Sequence, residues 1–341
     1  MPMDAYQQIL ETAFIRKIPI NAQIELTYRC NLACVHCYAT ERTLNDELTT
    51  KEVEGIFTQL AEMNCLFLSL TGGEIFLRND LMTILGMANE SNFAVSLFSN
   101  GTLITPAVAD KLERTPPLCL HISLYSINSV IHDRITGTIG SQAKTLSAIK
   151  LCRERGFNVA IKTPIMKYNI GEVKALEAFA LEMESSFVFD FVLAPADNGT
   201  MPMKQHGLSE KEIEDFIVTN AKPGDISGQK PDMSETLCGA GTSTLCITPK
   251  GDVLPCLAIR QSAGNIRKSS LKSLWKSTNL DQLRNLRYCN LVDCRNCEYL
   301  AYCSRCSGIA LAECGNIAGK CECSCIVAKA TRQASERLGR L

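Results

Sequence analysis

Cysteine usage constrains this chain more than any other feature. Its 341 residues include 18 cysteines, and their placement is uneven. Three stand within eight residues, at Cys30, Cys34 and Cys37, and twelve lie between Cys238 and Cys325. Disulfide scaffolds also concentrate cysteine, but they are small and exported. The opening segment has no basic stretch followed by an apolar run, so no secretory signal is read there. Clustered thiolates in a reducing compartment bind soft metals, which places metal ahead of disulfide.

The remaining composition narrows the class. With 35 basic against 36 acidic side chains, the chain is not the strongly basic partner that nucleic acid selects. No apolar run reaches the ~20 residues of a membrane-spanning helix, so the expectation is a cytoplasmic protein with no membrane or nucleic-acid partner.

Through the first 200 residues, short β-branched or aromatic runs alternate with amphipathic stretches. Strands are expected at 22–26, 66–70, 94–98, 118–124, 159–165 and 187–193. Helices are expected at 48–63, with Thr49 and Glu52 in capping-box spacing, and in a stretch that stops at Gly156. Such alternation implies α/β architecture with a parallel sheet. Six units fall short of the eight in a closed barrel, so a partial (β/α)6 TIM-like barrel is expected, followed by a small cysteine-rich domain. The divisions read as an extension over 1–17, a barrel over 18–200 and a bridge over 201–232 with one helix at 209–220. A cysteine-rich domain over 233–328 and a tail over 329–341 complete the chain. Residues 245–248 and 252–254 flank a Pro249-Lys250-Gly251 turn and read as a hairpin.

The first cluster follows the first strand as Cys30-Asn-Leu-Ala-Cys34-Val-His-Cys37-Tyr38. Three thiolates can hold three irons of a cubane cluster and leave the fourth open for chemistry. His36 is a candidate fourth ligand crowded by the loop on both sides, and a zinc loop with a distant fourth ligand is the bland alternative. CX3CX2C plus an aromatic residue resembles the signature of the radical S-adenosylmethionine (SAM) superfamily. Thr71-Gly72-Gly73-Glu74, after the second strand, resembles that family's second motif. The resemblance implies that Cys30, Cys34 and Cys37 hold a 4Fe–4S cluster whose open iron binds SAM. It further implies that Gly72, Gly73 and Glu74 receive the methionyl end, with glycines admitting a close ligand. By the same resemblance Ser99, Asn100 and Ser123 line SAM, and Lys162 and Arg134 contact the carboxylate or substrate. No catalytic residue is assigned.

The second field reads Cys238, then Gly251-Asp-Val-Leu-Pro-Cys256, then Cys294-X2-Cys297-X5-Cys303-X2-Cys306, then Cys325. It resembles the SPASM domain, an extension of radical SAM enzymes with two auxiliary 4Fe–4S clusters. That implies one cluster on Cys238, Cys246, Cys256 and Cys306, and another on Cys294, Cys297, Cys303 and Cys325. The spacing departs from the familiar pattern, since two residues rather than three separate Cys303 from Cys306. Cys323 competes with Cys325 as last ligand, and Cys314 and Cys321 have no assigned role. CX2C pairs suit zinc as well, and the first motif is what tips the reading to iron. Cys65, Cys119 and Cys152 read as small core residues, and His121 as an inward barrel residue. His132 and His206 carry no specific signal.

The resemblance implies three 4Fe–4S clusters, SAM, and a 5′-deoxyadenosyl radical that abstracts a substrate hydrogen. It is strongest to the peptide-maturase and quinone-cofactor-maturation branch, which implies a ribosomally made peptide or protein as substrate. The modification would be a crosslink, a thioether or an oxidative decarboxylation. A separate peptide-carrier protein and a flavodoxin- or ferredoxin-like electron donor are the implied partners. A tetrapyrrole-modifying enzyme and a non-catalytic iron–sulfur electron carrier are the rival readings.

Overall fold

The computed structural model describes residues 5–42, 46–221 and 226–339. Period-two burial builds its sheet. In β3 (Ala94–Ser99), Val95 and Leu97 are buried beneath helices, while Ser96 and Phe98 face the other way. β2 (Phe67–Gly72) and β4 (Cys119–Ser123) alternate likewise. β1 (Asn21–Thr27) is buried on both faces from Ile24 to Thr27, β5 (Val159–Pro164) is buried on both faces from Val159 to Ile161, and β6 (Ser186–Asp190) closes the series as an exposed edge. All five neighbouring pairs are parallel. The expected six-unit partial barrel is present, with every strand within two residues of its expected start.

The helices are α1 (Ala5–Ile15), α2 (Thr50–Glu62), α3 (Leu81–Glu90), α4 (Pro106–Arg114), α5 (Ser129–Thr136), α6 (Ser141–Glu154) and α7 (Val173–Glu182). The capping box of α2 is formed: the Glu52 carboxylate accepts the Thr49 N–H at 2.8 Å, and the Thr49 hydroxyl accepts the Glu52 N–H at 3.3 Å. Its apolar face, Val53, Ile56, Phe57 and Leu60, joins Leu68, Leu70, Val95 and Leu97 in the main core. Each such full burial contributes roughly 1.5–3 kcal/mol.

Further along come α8 (Pro202–His206), α9 (Glu210–Asn220), α10 (Leu271–Trp275), α11 (Asp281–Arg284), α12 (Ser307–Cys314) and α13 (Glu322–Leu338). The expected hairpin exists as β7 (Thr244–Ile247) and β8 (Asp252–Leu254), with β9 (Gly264–Asn265) beyond. Two features run across the expected divisions. The division at residue 233 crosses a continuous sheet, because β7 pairs in parallel with β1 and the strand order is β6-β5-β4-β3-β2-β1-β7-β8-β9. The stretch expected as a tail from residue 329 is the second half of α13, whose Ala330 and Ala334 pack with Ile213 and Ile217 of α9.

Polar ties reinforce the joined sheet. The Trp275 indole N–H donates to the Lys17 carbonyl at 2.7 Å, and the Leu271 N–H donates to Gln59 Oε1 at 2.7 Å. Arg267 pairs with Glu52 and Asp46.

Candidate active site and metal centres

The cysteine loop leaves the C-terminal end of β1 and rests on the end of α5. The Ala33 and Val35 N–H groups donate to the carbonyls of Thr136 (2.8 Å) and Ile135 (3.0 Å), and Leu32 is buried beneath. Cys30, Cys34 and Cys37 are each half-buried. Burial, and then the neighbouring Cys37 and Cys30, push the Cys34 thiol up to about 12. Cys30 and Cys37 are raised mainly by burial as well. Three thiols that oppose one another's ionisation suit a cationic iron centre, whose charge favours the thiolate form. The donor set fits.

The Gly72-Gly73-Glu74 turn packs against the backbone that follows β1. A Cβ on Gly72, where φ is +131°, would lie 2.1 Å from the Thr27 carbonyl oxygen. One on Gly73 would lie 2.3 Å from that of Arg29. The Gly73 and Glu74 N–H groups donate to these same carbonyls at 2.7 and 2.8 Å. The glycines therefore admit the backbone that leads into Cys30. The carboxylate of Glu74 is fully buried and accepts from the Phe76 N–H (3.1 Å), the Ser99 hydroxyl (2.9 Å) and the Asn100 N–H (2.8 Å). Burial raises it to about 7 against the lowering effect of those donors. Asn100 Nδ2 donates to Asn31 Oδ1 at 3.0 Å and lies 3.9 Å from Cys30 Sγ. Glu74, Ser99, Asn100 and the cysteine loop thus form one network across the ends of β1, β2 and β3.

Ser123 ends β4 beside Lys162 of β5 in register. One layer below, His121 stacks on Phe98 with ring centroids 4.3 Å apart, and Lys162 Nζ lies 5.3 Å from the same ring. Burial and then Lys162 lower His121 to about 4, so its imidazole is neutral near pH 7. His121 faces inward as expected. Cys119 shares that inner face rather than the core, whereas Cys65 and Cys152 are core residues. Arg134 belongs to α5, not to a loop, and lies 4.7 Å over the Tyr168 ring.

An aromatic support beneath the loop carried no sequence signal. His36 meets Tyr125 edge-on at 4.9 Å, and the Tyr125 N–H donates to His132 Nδ1 at 3.2 Å. Burial lowers both His36 and His132 to about 4. The contacts join segments some 90 residues apart, which no local pattern reveals.

Among the C-terminal thiols, burial raises Cys238 and Cys256, and the nearby Cys306 adds to both. Cys246 stands apart in the β7 ladder beside Gln23, fully buried, with Glu25 and Arg260 its foremost charged neighbours and Cys256 a weaker one. Cys303 is pushed up to about 12 by burial, then by Cys325 and Cys294, and Cys325 in turn feels Cys294 and Cys297. Cys323 is engaged by Glu313 instead. The buried guanidinium of Arg305 bonds the carbonyls of Ile317 (2.5 Å) and Gly319 (2.6 Å), fixing the loops around these thiols. Cys289 and Cys314 are exposed, and the Cys321 thiol donates to the Ser324 hydroxyl at 3.1 Å. Among the described residues, no three His, Cys, Asp or Glu side chains gather as a site for a single metal ion.

A partial parallel barrel with three thiols at the end of its first strand defines the class. Residues 24–180 match the radical SAM superfamily, and the chain belongs to it. Residues 238–307 match SPASM, an iron–sulfur cluster-binding domain, so this is a radical SAM enzyme of the SPASM type, a class that uses 4Fe–4S clusters and SAM. The chain is similar to the AdoMet-dependent heme synthase of Methanosarcina barkeri, at 29% identity over 323 residues, 86% of this chain and 92% of that one. Similarity at 29% identity extends to the subtilosin biosynthesis protein AlbA of Bacillus subtilis, covering 85% and 67% of the two chains. The mycofactocin maturase MftC of Mycobacterium tuberculosis is also 29% identical, over 79% and 73%. In fold it matches Streptococcus suis SuiB bound to precursor peptide SuiA, with a TM-score of 0.70 at 20% identity over 90% and 76% of the chains. It likewise matches anSMEcpe with bound AdoMet, with a TM-score of 0.70 at 16% identity over 94% and 98%. No helix of the described residues is long and apolar enough to cross a membrane.

Proposed function

We propose that this enzyme modifies a ribosomally made peptide or protein by a crosslink, a thioether or an oxidative decarboxylation. The observation that carries the reading is its similarity to several peptide-maturation proteins, AlbA, MftC and a PqqA peptide cyclase, over 76–85% of this chain. In the reading, Cys30, Cys34 and Cys37 hold the cluster that meets SAM. Cys238, Cys246, Cys256 and Cys306 hold one auxiliary cluster, and Cys294, Cys297, Cys303 and Cys325 hold the other. When bound, these groups supply a 5′-deoxyadenosyl radical and a route for the electron returned by the substrate.

The chain's own residues bind and orient. Glu74 holds Ser99 and Asn100 against the cysteine loop, and its carboxylate is occupied by protein donors. The contact expected between this turn and the SAM ammonium stays part of the reading, beside that positioning role, because three donors leave a carboxylate acceptor capacity. Ser123, at the end of β4, would line SAM, and Lys162 beside it on β5 would contact its carboxylate or the substrate. His121, neutral and stacked, fills the barrel below and excludes water from the radical's path. A flavodoxin- or ferredoxin-like donor and a separate peptide-carrier protein complete the proposed system.

One observation favours a second reading: the heme synthase is matched over 92% of its length. Anaerobic incubation with SAM, reductant and candidate peptides, beside a tetrapyrrole carboxylic acid, separates the two by mass spectrometry. A peptide mass change accompanied by 5′-deoxyadenosine is expected. Turnover of the tetrapyrrole alone would replace the first reading by the second.

A further inference from the structure

A cleft of about 390 Å³ opens where the barrel meets the C-terminal segments. Tyr38, the residue after Cys37, forms one wall. Leu257 and Ala258, which follow Cys256, also line the cleft, together with Gly308, two residues past Cys306. The spacing is tight: a Cβ on Gly308 would lie 2.5 Å from the Ala258 carbonyl oxygen. An occupant would therefore touch segments carrying thiols of both the first cysteine loop and the Cys238–Cys256–Cys306 set.

The lining is mostly small and apolar, with two charged side chains, Arg260 and Asp197. Asp197 is turned to Thr40, whose N–H it accepts at 3.0 Å. Arg260 is held from behind. Its Nη1 donates to Glu25 at 2.9 Å and its Nη2 donates to the Tyr28 hydroxyl. Glu25 is fully buried, while the Arg260 side chain keeps 29% exposure. A guanidinium has five N–H donors, and its Nε–H finds no partner here among the described residues. Arg260 also borders a second cleft, where Lys250 is paired with Glu41 and where Asp197 and Asp252 add negative charge.

We propose that the cleft at Tyr38, Leu257 and Gly308 binds the substrate through an apolar group bearing a carboxylate, with Arg260 as its anchor and Glu25 as the residue that orients Arg260. The open Nε–H of Arg260 suits a carboxylate, with Asp197 engaged by Thr40, and the apolar body is matched by the lining. The inference deepens the proposed function by naming what the substrate must carry. A peptide side chain or C-terminus and a tetrapyrrole carboxylate share this chemistry.

The test uses the full chain, reconstituted anaerobically, with 3-phenylpropionate and its uncharged amide as probes in ligand-observed NMR titrations. The acid should bind roughly tenfold more tightly than the amide, as a charge-assisted contact to a guanidinium demands. In the paired variant Glu25→Gln/Arg260→Met, which leaves no buried charge unpaired, the two probes should bind alike. Ala312→Trp, on the exposed side of α12, should weaken both probes and keeps the question answerable if the paired variant loses its iron. Equal binding of acid and amide to the wild type would overturn the proposal. So would an acid preference that survives in a folded paired variant, or probe binding that Ala312→Trp leaves unchanged. The two sources are separated by titrating a peptide acid, its C-terminal amide and a tetrapyrrole carboxylic acid. An intact anchor with no peptide turned over would remove the peptide reading while leaving the carboxylate site in place.

Discussion

At the residue scale, the glycine pair and Glu74 decide whether the first loop is formed. Gly73→Ala places a methyl group 2.3 Å from the Arg29 carbonyl oxygen, and backbone on both sides prevents relief. The variant should lose about four of about twelve irons, one cubane cluster, together with 5′-deoxyadenosine formation. Unchanged iron by anaerobic elemental analysis would contradict the packing account. Glu74 leads to a pH dependence. Its folded value of about 7 lies above its ordinary 4.5, so the folded chain holds the proton more tightly than the unfolded chain. The stability it contributes is full below 4.5 and is lost as pH rises through 7. Thermal melting between about pH 5 and pH 8 should fall in the wild type and fall less in Glu74→Gln. A steeper fall in the variant would reverse the sign and reject the assignment.

At the element scale, the structure separates signals that are local from those that are not. The six strands, α2 with its capping box, α9 and the β7–β8 hairpin follow from patterns contained within each segment, and all are legible in the sequence. The cysteine motifs are legible for the same reason, because their spacing is local. The helix α13 was not, since the stripe it buries is Ala328, Ala330 and Ala334, and alanine raises little hydrophobic periodicity. The need for close approach at the glycines was legible, but the backbone of Thr27 and Arg29 as neighbours was not. The Tyr125–His36–His132 support and the pairing of β7 with β1 depend on tertiary contact and leave no trace along the chain. Two substitutions test the element account by denaturant unfolding. Thr49→Ala should cost about 1 kcal/mol as a lost helix cap. Ala334→Glu buries a charge between α13 and α9 and should cost more, on the order of 3 kcal/mol. A near-neutral Ala334→Glu would mean that α13 is as dispensable as a tail.

At the scale of the whole molecule, the two thiol fields sit on one sheet, so loss of metal in one part need not leave the other untouched. Replacing Cys294 and Cys297 by Ala should reduce iron from about twelve to about eight per chain. With an artificial reductant, 5′-deoxyadenosine should still form, while product per deoxyadenosine should drop several-fold. An unchanged ratio in a folded variant would make the second auxiliary set structural. The joined sheet also bears on synthesis. β1 is complete by Thr27, but its outer partner β7 begins only at Thr244. At ribosomal speeds of about 5–20 residues per second, the nascent chain carries an unpaired edge for roughly 10–40 s. Such an edge is a template for pairing with other chains. Messages cut short before codon 244 would thus yield polypeptides with a fully formed barrel half and a permanently open seam, and these fragments should aggregate or occupy chaperones.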